Sequence, residues 1–488
     1  MSPSIAPDRK WLALALLAAA QFVVVLDASI VNVALPSIGR ELQFSQENLS
    51  WVINAYTLAF GGFLLLGGRM ADLLGRRRLF LGGLILFGLA SLAGGLAQSD
   101  GQLIAARAVQ GLGAALLSPA ALSLVTVMFT EGAERNKAFG VWGAVAGSGG
   151  AVGVLAGGML TQWAGWEWVL FVNVPIVLVA AALAPRLLPE SRNGGARHFD
   201  VAGAVAITAG LTLLVYALID ATNVGWGSTQ TLGLIAIALA LIAAFVLIEL
   251  RSRAPLMPFP GIFRIRTIAG INLTALFIAM ALFSMFFFVS LYMQQVLGFD
   301  ALEAGLAYLP LAVGIIISAG VASQLTTRFG FKPVLIAGLL LTAAGLAWFS
   351  QVSPTGSYVA DVLFPSLLAA VGLGFAFVPM TIAAVSGVEG HEAGLASGLI
   401  NTSQQIGGAL GLAILATIAN GRTGDAAAAG DPLPVALTEG FQRAFTVGAG
   451  FALFGALLAT FLISNRASRD HAEVAQRGEI EQPVPVAA

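Results

Sequence analysis

Residues 11–35 read WLALALLAAAQFVVVLDASIVNVAL, an apolar run of 25 residues broken by one charge, Asp27. A helix needs roughly 20 apolar residues to cross the hydrocarbon of a bilayer, so this run is long enough to span one. Arg9 and Lys10 precede it. It exceeds the roughly 7–15 residues of a cleavable leader core, and reads as a retained first helix. Thirteen further apolar runs follow, the last at 441–463, separated by short charged loops. They are too long and too uniformly apolar for barrel strands, which leaves helices as the spanning element.

The rest of the chain agrees. Of its 488 residues 58% are hydrophobic and only 10% charged, and its mean hydropathy is +0.89. A soluble domain carries about 25% charged residues. The sequence therefore predicts an all-α membrane protein with 14 transmembrane helices. A net charge of −1 argues against nucleic acid as a partner. The absence of cysteine excludes disulfides, thiolate metal sites and cysteine nucleophiles. His198, His391 and His471 are too scattered for a metal cluster. No GxxxxGK[ST] phosphate loop occurs, so ATP is not the energy source. No Ser/His/Asp set shares one depth, so the chain is not read as an enzyme.

With the N-terminus inside, 20 of the 24 basic residues fall in cytoplasmic segments. Only Arg40, Arg422 and Arg443 fall outside, and Arg107 lies within a span. That bias places both termini in the cytoplasm.

The second half echoes the first. Gly111-Leu112-Gly113 recurs as Gly372-Leu373-Gly374, and Gly330 stands after span 10 where Gly75 stands after span 2, giving offsets of 261 and 255. Six spans with loops fill residues 1–190, so such offsets leave room for two more spans between the halves. The expected domains are an N-terminal six-helix bundle (1–190), a two-helix hairpin with linkers (191–265), a C-terminal six-helix bundle (266–465) and a disordered cytoplasmic tail (466–488). Parallel halves of this kind build alternating access around a central site.

Asp27 is the only acid well inside a span and Arg107 the only base there. An ionisable residue at that depth is a functional hypothesis by default. With a rise of about 1.5 Å per residue, Asp27 sits roughly 13 Å and Arg107 some 8 Å below the outer ends of spans 1 and 4. Desolvation favours a neutral carboxyl and a nearby arginine favours a charged one, so the two compete. The alternative is a structural salt bridge. Among polar residues within spans, Asn54, Tyr56, Gln110, Asn272, Asn401, Gln404 and Gln405 are candidates for a substrate cavity, or else interhelical glue. Phe283, Phe286, Phe287 and Phe288 give span 9 an aromatic surface for an apolar ligand or for lipid. In span 5, Gly149, Gly153 and Gly157 recur every four residues, with Gly158 beside them, which lets helices touch closely.

Six places in the sequence carry a family resemblance. Gly68-Arg69-Met70-Ala71-Asp72-Leu73-Leu74-Gly75-Arg76-Arg77-Arg78 is similar to the loop 2–3 signature of the major facilitator superfamily. Leu26 through Pro36 resembles the first-helix signature of its drug exporters, and Arg107 through Gly113 the span 4 signature. Trp168 through Pro175, Asp200 and Ala254-Pro255-Leu256 fit its fourteen-spanner drug:proton antiporter branch. The resemblance implies the major-facilitator fold and a cytoplasmic gate at Gly68, Arg69, Asp72, Gly75, Arg76, Arg77 and Arg78. Asp72 and Arg76 stand at the i,i+4 spacing of a helical ion pair. In the second half Ser323, Thr327 and Phe331 replace Gly68, Asp72 and Arg76, so the charged latch is one-sided. Span 5 departs from the antiporter signature, with Gly153-Val154 where Gly-Pro is the pattern. That removes an expected kink and leaves antiport, uniport and symport open.

The function implied is efflux of amphipathic or cationic small molecules across the cell membrane, with a proton gradient as the energy source, no cofactor and a monomeric chain. Asp27 and Arg107 carry the proton coupling. The alternatives are a dedicated exporter of one metabolite (an antibiotic, siderophore or lipid precursor) and a non-transporting membrane scaffold or sensor.

Overall fold

The computed structural model describes residues 7–44, 49–130, 132–191, 200–251, 265–388 and 392–477. Fourteen helices are long and apolar enough to span a membrane. They are α1 (Arg9–Glu41), α2 (Trp51–Leu74), α3 (Arg76–Gly95), α4 (Asp100–Met128), α5 (Ala133–Trp163), α6 (Trp168–Leu187) and α7 (Val201–Ala221). The others are α8 (Thr229–Arg251), α9 (Arg266–Val296), α10 (Leu302–Phe329), α11 (Phe331–Phe349), α12 (Tyr358–Val385), α13 (Ala393–Ala428) and α14 (Leu433–Leu462). Ala254-Pro255-Leu256 and most of the linkers around α7 and α8 lie outside the described residues.

Local chemistry sets several starts. Ser99 accepts from the Gln102 amide at α4, and the Asp200 carboxylate takes the Gly203 amide at 2.8 Å at α7. Asp300 and Glu303 form a reciprocal capping box ahead of α10.

Packing repeats itself eight helices on. In the first half α1 packs on α5 and α6, α2 and α3 on α4, and α3 on α6. In the second half α9 packs on α13 and α14, α10 and α11 on α12, and α11 on α14. The fold is two six-helix bundles with the α7–α8 hairpin inserted between them in sequence.

The repeat corrects one expected register. Gly111 does not correspond to Gly372. A Cβ on Gly83 of α3 would stand 2.8 Å from the Gly113 carbonyl oxygen, and one on Gly338 of α11 would stand 2.8 Å from the Gly372 carbonyl oxygen. Gly113 and Gly372 are therefore the equivalent pair, 259 residues apart. Residues two apart on a helix point to nearly opposite sides, so each Gly-Leu-Gly serves two neighbours. In α4 the first glycine faces Tyr56 and Ala59 of α2; in α12 it is the second, Gly374, that faces Ser318 and Ala319 of α10.

The halves meet along two seams, α2 with α13 and α5 with α10, and α7 lies over the first seam against both α2 and α13. Trp51 and Tyr216 stack there with ring centroids 6.0 Å apart. Glycines make the approach possible on both faces of α5. Gly140 and Gly143 would place a Cβ 2.9 Å from the side chains of Ser323 and Val378 in the second half. Gly149, Gly153 and Gly157 face α1, where their Cβ atoms would meet Val25 at 2.8 Å, the Leu26 carbonyl at 2.8 Å and the Ile30 carbonyl at 2.7 Å. Gly158 is buried on the same helix. Val154, in place of the family proline, packs against the apolar core of the second half.

The tail departs from expectation. Residues 465–477 are not disordered but form α15 (Asn465–Arg477). Its composition is strongly polar, which is why disorder was the natural reading. Ser468, His471, Ala472 and Ala475, however, fall at helical spacing and are buried, and α15 packs against α10 and α11. Residues 478–488 lie outside the described residues.

Candidate functional site

Asp27 and Arg107 are in contact inside the first bundle. The Arg107 Nη1 donates to Asp27 Oδ2 at 2.5 Å, and the two side chains are 0% and 1% exposed. The expected pairing of spans 1 and 4 is therefore a direct, dry ion pair. An Asp–Arg pair at this depth persists because its remaining lone pairs and protons are matched. Gln110 Nε2 and Asn173 Nδ2 both donate to Asp27 Oδ1 at 2.8 Å. Gln110 Oε1 in turn accepts from Arg107 Nη1 at 2.7 Å. Arg107 Nε donates to the Val52 carbonyl at 3.0 Å, and the guanidinium carbon lies 4.3 Å from the centre of the Tyr56 ring. Tyr56 is anchored by its hydroxyl, which donates to the Val24 carbonyl at 3.3 Å.

Three helices thus meet at the carboxylate, and two more, α2 and α3, join through the partners of Arg107, Gln110 and Asn173. Two members were not expected from sequence, Ser91 of α3 and Asn173 of α6. Ser91 Oγ accepts from Gln110 Nε2 at 3.2 Å and from Asn173 Nδ2 at 3.0 Å, and donates to the Leu170 carbonyl at 2.8 Å. A signal for Asn173 existed, since it lies inside the Trp168–Pro175 stretch that fits the fourteen-spanner pattern.

The cavity expectations need revision. Tyr56 and Gln110 are buried partners of the Asp27–Arg107 pair and not cavity walls, because a buried charge pair consumes the polar groups around it. Asn272 is buried and bridges α9 to α13, donating to the Ile268 carbonyl at 2.8 Å and accepting from Ser403 Oγ at 3.1 Å. Asn54, Asn401, Gln404 and Gln405 are half-buried, and the Asn401 amide nitrogen has no hydrogen-bond partner among the described residues. Of the span 9 phenylalanines, Phe288 is buried whereas Phe283 and Phe287 are exposed.

The loop between α2 and α3 forms a second charged site, on the molecular face that bears both termini. Asp72 Oδ1 accepts from Arg76 Nη2 at 2.7 Å, and both side chains are buried. The same carboxylate takes the Gly394 amide at 3.1 Å and the Leu395 amide at 3.0 Å, at the start of α13 in the other half. An acid at a helix N-terminus satisfies free amides and opposes the helix dipole. Gly68 lets this happen, since a Cβ there would stand 3.0 Å from the Gly398 Cα. Gly75, at φ +112°, turns the chain, and a side chain on it would strike the Glu190 carboxylate. Glu190 faces Arg77 at 3.8 Å and Arg78 at 3.7 Å, while Arg76 Nη1 donates to Ser191 Oγ at 3.2 Å. Arg69 is half-buried. Glu190 and Ser191, at the end of the first bundle, complete a cluster whose other members were legible as a motif.

A family model described as the Major Facilitator Superfamily matches residues 17–412. The chain belongs to the major facilitator superfamily. It is 43% identical over 469 residues, covering 94% of this chain and 93% of the other, to a puromycin resistance protein of Streptomyces alboniger. It is 41% identical over 454 residues, covering 92% of each chain, to a cephamycin export protein of Amycolatopsis lactamdurans. The fold is similar to that of the human organic anion transporter MFSD10, with a TM-score of 0.66 at 15% identity over 93% of this chain and 100% of that one. As a major facilitator the chain is a multi-pass membrane transporter and not an enzyme.

Proposed function

We propose that the protein is a proton-driven exporter of amphipathic or cationic small molecules, working by alternating access with Asp27 as the proton site. The observation that carries this reading is the dry Asp27–Arg107 pair, whose second carboxylate oxygen is held by Gln110 and Asn173. Protonation of Asp27 removes the counter-charge of Arg107. Leaving one partner of a buried pair uncompensated costs about 3–5 kcal/mol. A free-energy change of that size shifts a two-state ratio by roughly a hundredfold to a few thousandfold. Both residues sit on helices that run the full depth of the bundle, so relief by helix movement changes which side of the membrane the centre faces.

The face bearing both termini is taken as cytoplasmic from the excess of basic residues there. In this conformation that face is latched by Asp72 on the start of α13. Toward the other face, Ala28, Asn32 and Pro36 of α1 and Phe283 and Phe287 of α9 form exposed stripes. The contacts of Val25 on Gly149 and of Leu276 on Gly407 make α1 and α9 equivalent at an offset of 251, which matches Asn32 with Phe283 and Pro36 with Phe287. These matched stripes are the proposed cavity walls, apolar on one side and amide-bearing on the other. Such a surface suits an amphipathic substrate. The relatives' association with puromycin resistance and cephamycin export favours export over uptake.

The test is purified protein in liposomes with ethidium as an amphipathic cation and puromycin as a second probe. An imposed pH gradient should drive probe movement, with proton flux in the opposite direction reported by a pH dye. Probe movement without proton counter-flux would refute the coupling.

A further inference from the structure

The two halves close the same face by different chemistry. In the first half the Gly75 turn is flanked by Asp72 and Arg76, and Asp72 reaches the opposite half. In the second half the Gly330 turn, at φ +84°, is flanked by Thr327 and Phe331, neither of which carries a charge. Thr327 nevertheless meets the other half. Asn136, on α5, donates through Nδ2 to Thr327 Oγ1 at 2.9 Å, and its carbonyl accepts from Ser323 Oγ at 2.8 Å. Its remaining side-chain oxygen is hydrogen-bonded to His471 Nε2 of α15 at 3.0 Å. Asn136 is 0% and His471 5% exposed.

The tail helix is fixed to the second half alone, apart from this contact region. Ser468 Oγ accepts from the Lys332 amide at 3.0 Å, and Lys332 Nζ donates to the Thr460 and Ile463 carbonyls at 2.7 and 2.8 Å. Gln476 Nε2 donates to the Arg328 carbonyl at 2.8 Å. The His471 ring lies 5.7 Å from the Phe331 ring, in the place where the first half has Arg76. Ser468 also packs against Gly330, where a Cβ would collide with it. Across the seam stand Asn136 and, at 3.5 Å from the Ala475 Cα, the position a Cβ on Gly132 would take.

We propose that His471 is the latch residue of the second half. α15 supplies, through His471, a further cross-seam bond to Asn136 beside those that Thr327 and Ser323 of the second half make. The inference rests on the alternating-access reading, because a latch has meaning only if α5 and α10 part at this face. His471 is a positioning residue.

The chain has no cysteine, so paired labels can be placed without background. Spin labels at Ala133→Cys and Gln324→Cys, both exposed positions on α5 and α10, report separation across the seam. In reconstituted full-length protein His471→Ala should raise the ratio of long to short distances about fivefold, the effect of losing one net hydrogen bond. His471→Gln, whose amide can still bond Asn136, should restore the original ratio. Asn136→Ala reads the same bond from the other side, and supplies the result if His471→Ala does not fold. An unchanged distance distribution in either alanine variant, whatever its melting temperature, overturns the latch, as does failure of His471→Gln to rescue. Ethidium flux measured on the same samples separates the two readings: a shifted distribution with no pH-driven flux in any sample counts against transport and leaves the latch standing.

Discussion

Asp27 receives one guanidinium on Oδ2 and two amide donors on Oδ1, and the consequences of deleting these partners differ. Arg107→Ala leaves a buried carboxylate without its counter-charge, which costs about 3–5 kcal/mol if the group stays ionised. Asn173→Ala removes one amide donor and should cost about 1–3 kcal/mol. The melting temperature of Arg107→Ala in detergent should therefore fall below that of Asn173→Ala, and equal deficits would argue against a charge pair at this centre. The ion pair was legible because Asp27 and Arg107 each interrupt an apolar run where charge is expensive. Ser91 and Asn173 were not, since uncharged polar residues are common within spans and only the convergence of helices distinguishes a partner from glue. The same ambiguity misdirected Tyr56 and Gln110 to the cavity.

At the scale of helices, glycine spacing reported close approach correctly but not which neighbour is approached. A Cβ on Gly153 would meet Ser29 and the Leu26 carbonyl of α1, whereas one on Gly150 would find nothing within 4 Å. Gly153→Val should accordingly lose about 1–3 kcal/mol, the usual cost of overpacking. Gly150→Ala should leave the melting temperature near that of the parent. Equal melting of the two variants in detergent would contradict the assigned face. The same two-sidedness explains why the Gly-Leu-Gly triplets suggest an offset of 261 while equivalent contacts relate α4 and α12 at 259. A motif repeats as letters, but equivalence follows the neighbour each glycine touches. The tail shows the converse. Its low hydrophobicity hid a four-residue stripe small enough to be paid for by one edge of the bundle.

For the molecule as a whole, span count followed from run length, because hydrocarbon thickness is a fixed ruler, and the two-bundle architecture followed from the repeated glycine motifs. What run length cannot convey is conformation. The contact between the halves at the face bearing both termini depends on pairings such as Asp72 with the Gly394 and Leu395 amides, which join residues more than 300 positions apart. With Asp27 as the proposed proton site, one carboxyl at the centre would carry one proton per cycle. Exchange of a monovalent cation for one proton moves no net charge, so ethidium efflux should be insensitive to a potassium–valinomycin potential, while efflux of a neutral probe should respond to it. Voltage-dependent ethidium flux would require a second titrating group. The most direct measurement is pH-gradient-driven ethidium accumulation in liposomes holding equal amounts of the parent protein or Asp27→Asn, with substrate counterflow as a control for folding. The account predicts that Asp27→Asn retains counterflow and loses gradient-driven accumulation; accumulation at the parent level would contradict it.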